Sequence, residues 1–264
     1  MTEANLKGRA AIVTGSTSGI GLGIATALAE SGARVMLNGF GDAAEIERTR
    51  AELESRCGVE VRYSDADMSK REAVIAMVEE AEAAFGSVDI LVNNAGIQFV
   101  APVEEFPAAK WDAILAINLS SNFHAIQAAL PGMRARDFGR IVNLASAHGL
   151  VASPFKAAYV AAKHGVLGLT KVVALETAEG NITCNAICPG YVRTPLVEGQ
   201  IDEQAEVHGL PRERVIKEII LESQPNKRFV EVEELGALAV FLCSDAGRSI
   251  TGAALPVDGA WTAR

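Results

Sequence analysis

Thr14-Gly15-Ser16-Thr17-Ser18-Gly19-Ile20-Gly21 is the stretch from which the fold can be read. It follows a short apolar run, predicted as a strand over 10–14, and opens an amphipathic stretch, predicted as a helix over 19–31. Glycines at such a junction suit phosphate: Gly15 permits the tight turn, and Gly19 and Gly21 let the backbone approach a pyrophosphate at the positive helix N-terminus. Thr17 and Ile20 complete the candidate dinucleotide contacts of this loop. The spacing is GxxxGxG, not GxGxxG, and a glycine pattern alone does not fix the class.

Outward from the loop, short apolar runs alternate with longer amphipathic ones. Strands are predicted over 34–37, 59–63, 90–92, 140–144 and 182–187, and helices over 43–57, 70–85, 111–130 and 157–177. This βαβ rhythm predicts a single α/β domain over 1–264, a Rossmann-type doubly wound parallel sheet with helices on both faces. No linker, repeat or low-complexity segment interrupts it. Residues 194–224 differ, being charged and broken by Gly199, Gly209 and Pro211. They follow the carboxyl end of a strand, where open α/β sheets bind ligands, and are a candidate substrate lid.

The composition narrows the function. Across 264 residues the formal net charge is -9, and Lys and Arg are scattered among more numerous acids, which argues against a nucleic-acid partner. No signal-type segment opens the chain, and every later apolar run is broken by Gly or charge before spanning length, so a cytoplasmic enzyme of small molecules with no membrane partner is expected. Cys57, Cys184, Cys188 and Cys243 form no CxxC pair, and no metal site is expected.

The second strand should deliver a residue to the adenosine ribose. Asn38-Gly39-Phe40-Gly41-Asp42 follows it, with Phe40 counted among the cofactor contacts. Neither this segment nor the glycine loop holds a cation that would neutralise a 2′-phosphate, which favours NAD over NADP. Asn38 stands where an acid is usual, and Asp42 lies further into the loop. Asp67 is placed to meet the adenine edge, or to serve as a cap.

Tyr159 and Lys163, four residues apart on one predicted helix, share a face. A tyrosine acting as acid and base near neutral pH needs a shift of roughly 3 units from its usual 10, about 4 kcal/mol of phenolate stabilisation, and a lysine one turn away can contribute to it. Ser146 follows a strand and could donate to a reacting oxygen. Asn118 is a poor helix former among apolar neighbours, so either a functional role or a kink is open to it.

With TGxxxGIG at 14–21, Asn93-Asn94-Ala95-Gly96, Ser146, YxxxK at 159–163 and the segment from Pro189-Gly190 to Thr194 in order, the whole chain resembles the short-chain dehydrogenase/reductase family. The resemblance implies that Tyr159 is the acid/base, that Lys163 binds the nicotinamide ribose and lowers the tyrosine pKa, that Ser146 orients substrate, and that Asn118 holds a relay water. It implies cofactor contacts at Asn94, Pro189, Val192 and Thr194, and a homotetramer.

Around these residues stand donors suited to a small acid, whose carboxylate cannot be buried unpaired. Gln98 follows the Asn93-Asn94-Ala95-Gly96 turn, His148 follows Ser146, Lys156 precedes Tyr159, and Gln200 lies in the candidate lid. Together with the ending 258–264 they resemble the family members that act on short 3-hydroxy acids. That likeness implies a carboxylate site of Gln98, His148, Lys156 and Gln200, with Tyr191 and Trp261 shaping the methyl end. Tyr191 stands where those members carry Trp, leaving chain-length preference open. The alternative is an NADPH-dependent reductase of 3-oxoacyl thioesters, which would favour cations near the ribose.

Overall fold

A strand sandwiched between two helical layers must be apolar on both faces, and β1 (Ala10–Val13) is wholly buried. The computed structural model describes residues 5–263, and the side chains of Pro195, Leu196 and Glu203 lie outside that description. The expected domain reaches past these limits at residues 1–4 and 264. Six further strands follow: β2 (Arg34–Asn38), β3 (Val61–Ser64), β4 (Ile90–Asn93), β5 (Gly139–Leu144), β6 (Ile182–Pro189) and β7 (Ala254–Val257). All pair in parallel, in the order β3-β2-β1-β4-β5-β6-β7.

Ala11 of β1 is paired with Val35 on one side and Ile90 on the other. The strand order therefore reverses between β1 and β4, and the loops leaving these two strands diverge to open a crevice at the carboxyl edge. The glycine loop leaves β1 there, and the Asn93–Gly96 turn leaves β4.

The helices are α1 (Gly19–Glu30), α2 (Ala43–Cys57), α3 (Arg71–Phe85), α4 (Ala108–Leu115), α5 (Ser121–Arg136), α6 (Ala157–Glu176), α7 (Pro195–His208), the short α8 (Arg212–Arg214) and α9 (Val232–Cys243). Ile24, Leu28, Leu53, Leu235 and Leu242 of α1, α2 and α9 pack on one face of the sheet. Val74, Met77, Ile126, Met133 and Val173 of α3, α5 and α6 pack on the other. α6 is long and apolar enough to cross a bilayer, but it is a core helix, with Lys163 buried in its middle.

Local chemistry explains several boundaries. Asp42 accepts from the Glu45 N–H at 3.0 Å and caps α2, while Gly58 ends that helix in the left-handed region at φ 64°. Asp42 is thus a helix cap and not a ribose acid.

The structure also corrects the sequence reading. The helix predicted over 111–130 is two helices, α4 and α5, joined by a π turn at Ala116–Ser120 around Asn118. The candidate lid segment is largely helical: α7, α8 and a π turn at Val215–Ile220 fold over Ile201, Val215, Ile220, Leu221 and Phe229, a small apolar cluster of their own. α9 and β7 were not anticipated. β7 is a short, half-exposed edge strand containing Pro256, too weakly patterned to read as a strand.

Candidate active site

The crevice is built for a dinucleotide. Gly15 has φ +62°, and a Cβ there would stand 2.8 Å from the Ala95 Cα, so the β1 and β4 loops touch through a glycine. Asn94 locks this approach, its amide donating to the Thr14 and Gly15 carbonyls at 2.8 and 2.9 Å. The Ser18 side chain makes no cap to α1, so the first-turn N–H groups of Gly19, Ile20 and Gly21 have no side-chain acceptor. A Cβ on Gly19 would meet only Thr194, at 3.8 Å. An uncapped helix start facing a space that glycine leaves clear fits a pyrophosphate.

Asn38 does not reach toward a ribose. It is fully buried, accepts from the Gly15 N–H at 3.2 Å, and donates to the Ser64 and Ala66 carbonyls at 3.1 and 3.0 Å. Its work is to tie β2 and β3 to the glycine loop. Thr17 donates to the Phe40 carbonyl at 3.2 Å, leaving the Phe40 ring 67% exposed. Asp67 accepts from the Ser69 N–H at 2.8 Å, and its hydrogen bonds with Ser69 lower its pKa. Pro189 ends β6, Val192 bridges to Val230 beside it, and Thr194 caps α7 through the Val197 N–H at 3.4 Å.

The reacting groups gather at the same edge. Tyr159 lies beside Ser146, which opposes the effect of burial on the phenol, and the Ser146 hydroxyl accepts from the His148 N–H at 3.1 Å. The Lys163 ammonium donates to the Leu144 carbonyl at 2.6 Å and lies 5.6 Å from the centre of the Tyr159 ring. Asn118 is fully buried and pairs both ways with the Ile97 backbone, at 2.9 Å in each direction, which holds the β4 loop against the π turn.

Burial pushes the Tyr159 hydroxyl up, and Ser146 opposes that shift. One Lys163 ammonium N–H goes to the Leu144 carbonyl and two remain for other acceptors, while burial brings the ammonium itself down to about 8. An activated phenolate therefore needs a further positive charge beside Tyr159.

Aromatic rings form the far wall. Tyr191 and Trp261 stack with centroids 5.6 Å apart and planes 6° apart, and His148 meets the Trp261 ring edge-on at 5.0 Å and the Tyr159 ring at 6.0 Å. Lys156 starts α6 half-buried, and no carboxylate among the described residues pairs with it. Burial lowers its pKa, and its charge helps depress that of His148. Gln98 and Gln200 are solvent-exposed, on the β4 loop and on α7. The structure thus links Tyr159, His148, Trp261 and Tyr191 through ring contacts, with the Lys156 charge acting on His148. Ser153, which the sequence did not single out, hydrogen-bonds His148 Nε2 at 2.8 Å.

Burial, reinforced by the Lys156 charge, holds His148 at about 4 against an ordinary 6.5. The unfolded chain therefore takes up a proton between pH 6.5 and 4 that the native state refuses, so stability falls as pH falls through that window, by roughly 3 kcal/mol in all. His148→Gln should remove this loss and flatten the acid limb of urea-unfolding stability. An unchanged slope would mean that His148 is not a neutral buried imidazole.

A crevice at the strand reversal, an uncapped phosphate-binding helix and a Ser-Tyr-Lys cluster beside it define a nicotinamide-dinucleotide oxidoreductase. The chain belongs to the short-chain dehydrogenase/reductase family: residues 15–262 match the family profile described as enoyl-(acyl carrier protein) reductase. It is 56% identical to a D-beta-hydroxybutyrate dehydrogenase of Cupriavidus necator, over 98% of this chain and 100% of that one. It is 53% identical to a D-beta-hydroxybutyrate dehydrogenase of Rhizobium meliloti, over 97% and 99%. Among solved structures, a candidate 2-deoxy-D-gluconate 3-dehydrogenase of Agrobacterium tumefaciens with bound NADP superposes with a TM-score of 0.85 at 34% identity, over 100% of both chains.

Proposed function

We propose that this oxidoreductase uses NAD to interconvert D-3-hydroxybutyrate and acetoacetate. The observation that carries the reading is Lys156, a half-buried cation with no acidic partner among the described residues, beside a neutral His148 at the mouth of the Ser146-Tyr159-Lys163 cluster. Such a cation is costly unless an anion arrives to pair with it, and a short acid brings one. The likeness to two D-beta-hydroxybutyrate dehydrogenases supports the same substrate.

In the oxidative direction Tyr159 takes the proton of the C3 hydroxyl, and Ser146 donates to that oxygen as charge moves through it. Bound nicotinamide supplies the hydride acceptor and the positive charge that Tyr159 lacks in the protein alone. Lys163 holds the cofactor ribose, Asn118 holds a relay water, and the 194–224 segment closes as a lid that excludes bulk water. NAD is preferred to NADP because neither the glycine loop nor residues 38–42 carry a cation to neutralise a 2′-phosphate. The protein is read as a cytoplasmic homotetramer that acts on a small molecule, without nucleic-acid or membrane partners. Phe123, Val172 and Leu175, exposed on α5 and α6, are apolar surface that subunits can cover.

Nicotinamide absorbance tests this directly. Acetoacetate with NADH should turn over, NADPH should be much the poorer donor, and a 3-oxoacyl thioester should react slowly or not at all. Preference for the thioester with NADPH would replace this reading with the carrier-linked reductase.

A further inference from the structure

The two rings of the aromatic wall come from distant parts of the chain, yet lie almost parallel. What fixes them is polar and buried. Gln224, fully buried at the end of the helical segment, accepts from the Tyr191 N–H at 3.0 Å through Oε1, and through Nε2 donates to Asn226 Oδ1 at 3.3 Å and to the Arg228 carbonyl. The neighbouring backbone of Tyr191 accepts from the Val230 N–H at 2.9 Å, and the Asn226 N–H donates to the Gly259 carbonyl at 3.2 Å. From there the chain turns at once into Trp261.

That turn is held as tightly. The Asp258 carboxylate accepts from the N–H groups of Ala260 and Thr262 at 3.0 Å each, and from the Thr262 hydroxyl at 2.6 Å. Ala260 has φ +72°, a left-handed conformation unfavourable for a non-glycine residue that persists only where the surroundings impose it. A methyl on Gly190 would overlap the Gln224 carboxamide, and one on Gly259 would overlap that of Asn226. The Gln224 amide cannot be flipped without setting its NH2 against the Tyr191 N–H, so its orientation is determined.

We propose that Gln224, acting with Asn226 and Asp258, is the positioning residue that sets the depth of the substrate pocket. It clamps the Tyr191 strand end to the Trp261 turn, so the stacked rings stand at one fixed distance from Tyr159 and admit a short acyl end. Because Gln224 closes the helical segment, the wall and the candidate lid share one anchor. The substrate side of this proposal rests on the 3-hydroxy acid reading above, whereas the clamp itself rests on the hydrogen bonds alone.

The test uses Gln224→Met, close in shape but able neither to accept from Tyr191 nor to donate to Asn226, and Gln224→Glu, which keeps the acceptor. The sequence holds two tryptophans, so a Trp111→Phe background makes Trp261 the sole reporter. Gln224→Met should shift the Trp261 emission and its quenching by acrylamide. It should also move the ratio of kcat/KM for acetoacetate over 3-oxohexanoate about tenfold toward the longer acid, the scale of one lost buried hydrogen bond, and Gln224→Glu, whose second oxygen faces the Asn226 and Arg228 oxygens, should depart from the parent in both as well. If Gln224→Met does not fold, Thr262→Val, which removes only the hydroxyl bond to Asp258, should move both readouts in the same direction by less. Folded variants with unchanged Trp261 emission and an unchanged ratio overturn the proposal. If the parent protein reduces neither acid, the substrate reading falls, and the Trp261 emission alone decides the clamp.

Discussion

Tyr159→Phe should lower kcat for acetoacetate reduction by about 10²–10⁴-fold, the range that a positioned general acid contributes, while the protein stays folded and binds the nicotinamide dinucleotide as before. The substitution removes one oxygen. The ring keeps its edge-on contact with His148. What disappears is a hydroxyl placed to exchange a proton with the substrate oxygen beside Ser146. In the oxidative direction the parent enzyme should accelerate as pH rises, because burial holds the Tyr159 proton on, and the variant should lose that dependence. Steady-state rates and a fluorescence titration of the dinucleotide separate the two effects. A loss of less than tenfold, with the pH profile intact, would remove Tyr159 from the chemistry.

The residues behind this prediction were legible in the sequence because each sits in a local pattern. Tyr159 and Lys163 share a face through helix periodicity, and the glycines of 14–21 announce themselves at a strand-to-helix junction. What sequence spacing does not carry is which polar atom a side chain will spend itself on after folding. Asn38 sits at the strand end where a ribose ligand is expected, yet bonds across to Gly15, Ser64 and Ala66 satisfy its amide. Lys163 is one turn from Tyr159, and one of its three N–H groups goes to the Leu144 carbonyl. The reverse holds for Gln224 and Asp258: nothing local marks them, and their importance comes from partners distant in the chain. α9 escaped notice because its apolar residues pack against α1, a contact between the two ends of the chain. Hydrophobic periodicity therefore located most of the elements, and hydrogen-bond accounting in three dimensions was needed to say what the polar residues between them do.

Lys156→Met is the second large effect. Replacing the ammonium removes a charge-assisted bond to the substrate carboxylate, worth about 1.5–3 kcal/mol, so KM for acetoacetate should rise roughly 10- to 150-fold with kcat changed only a few-fold. Butanone, which has the carbonyl but no carboxylate, should be reduced no worse by the variant than by the parent, and that comparison separates carboxylate binding from damage to the Ser146-Tyr159-Lys163 cluster. Folding stability near neutral pH should not fall, because burial already disfavours this cation and no acid among the described residues balances it. His148 supplies an independent reporter. The Lys156 charge is second only to burial among the causes holding that imidazole near 4, so its pKa should move back toward the ordinary value in the variant, and imidazole proton resonances followed between pH 3 and 7 will show it. An unchanged KM together with an unmoved His148 would place the ammonium away from the pocket, and the carboxylate would then need another partner.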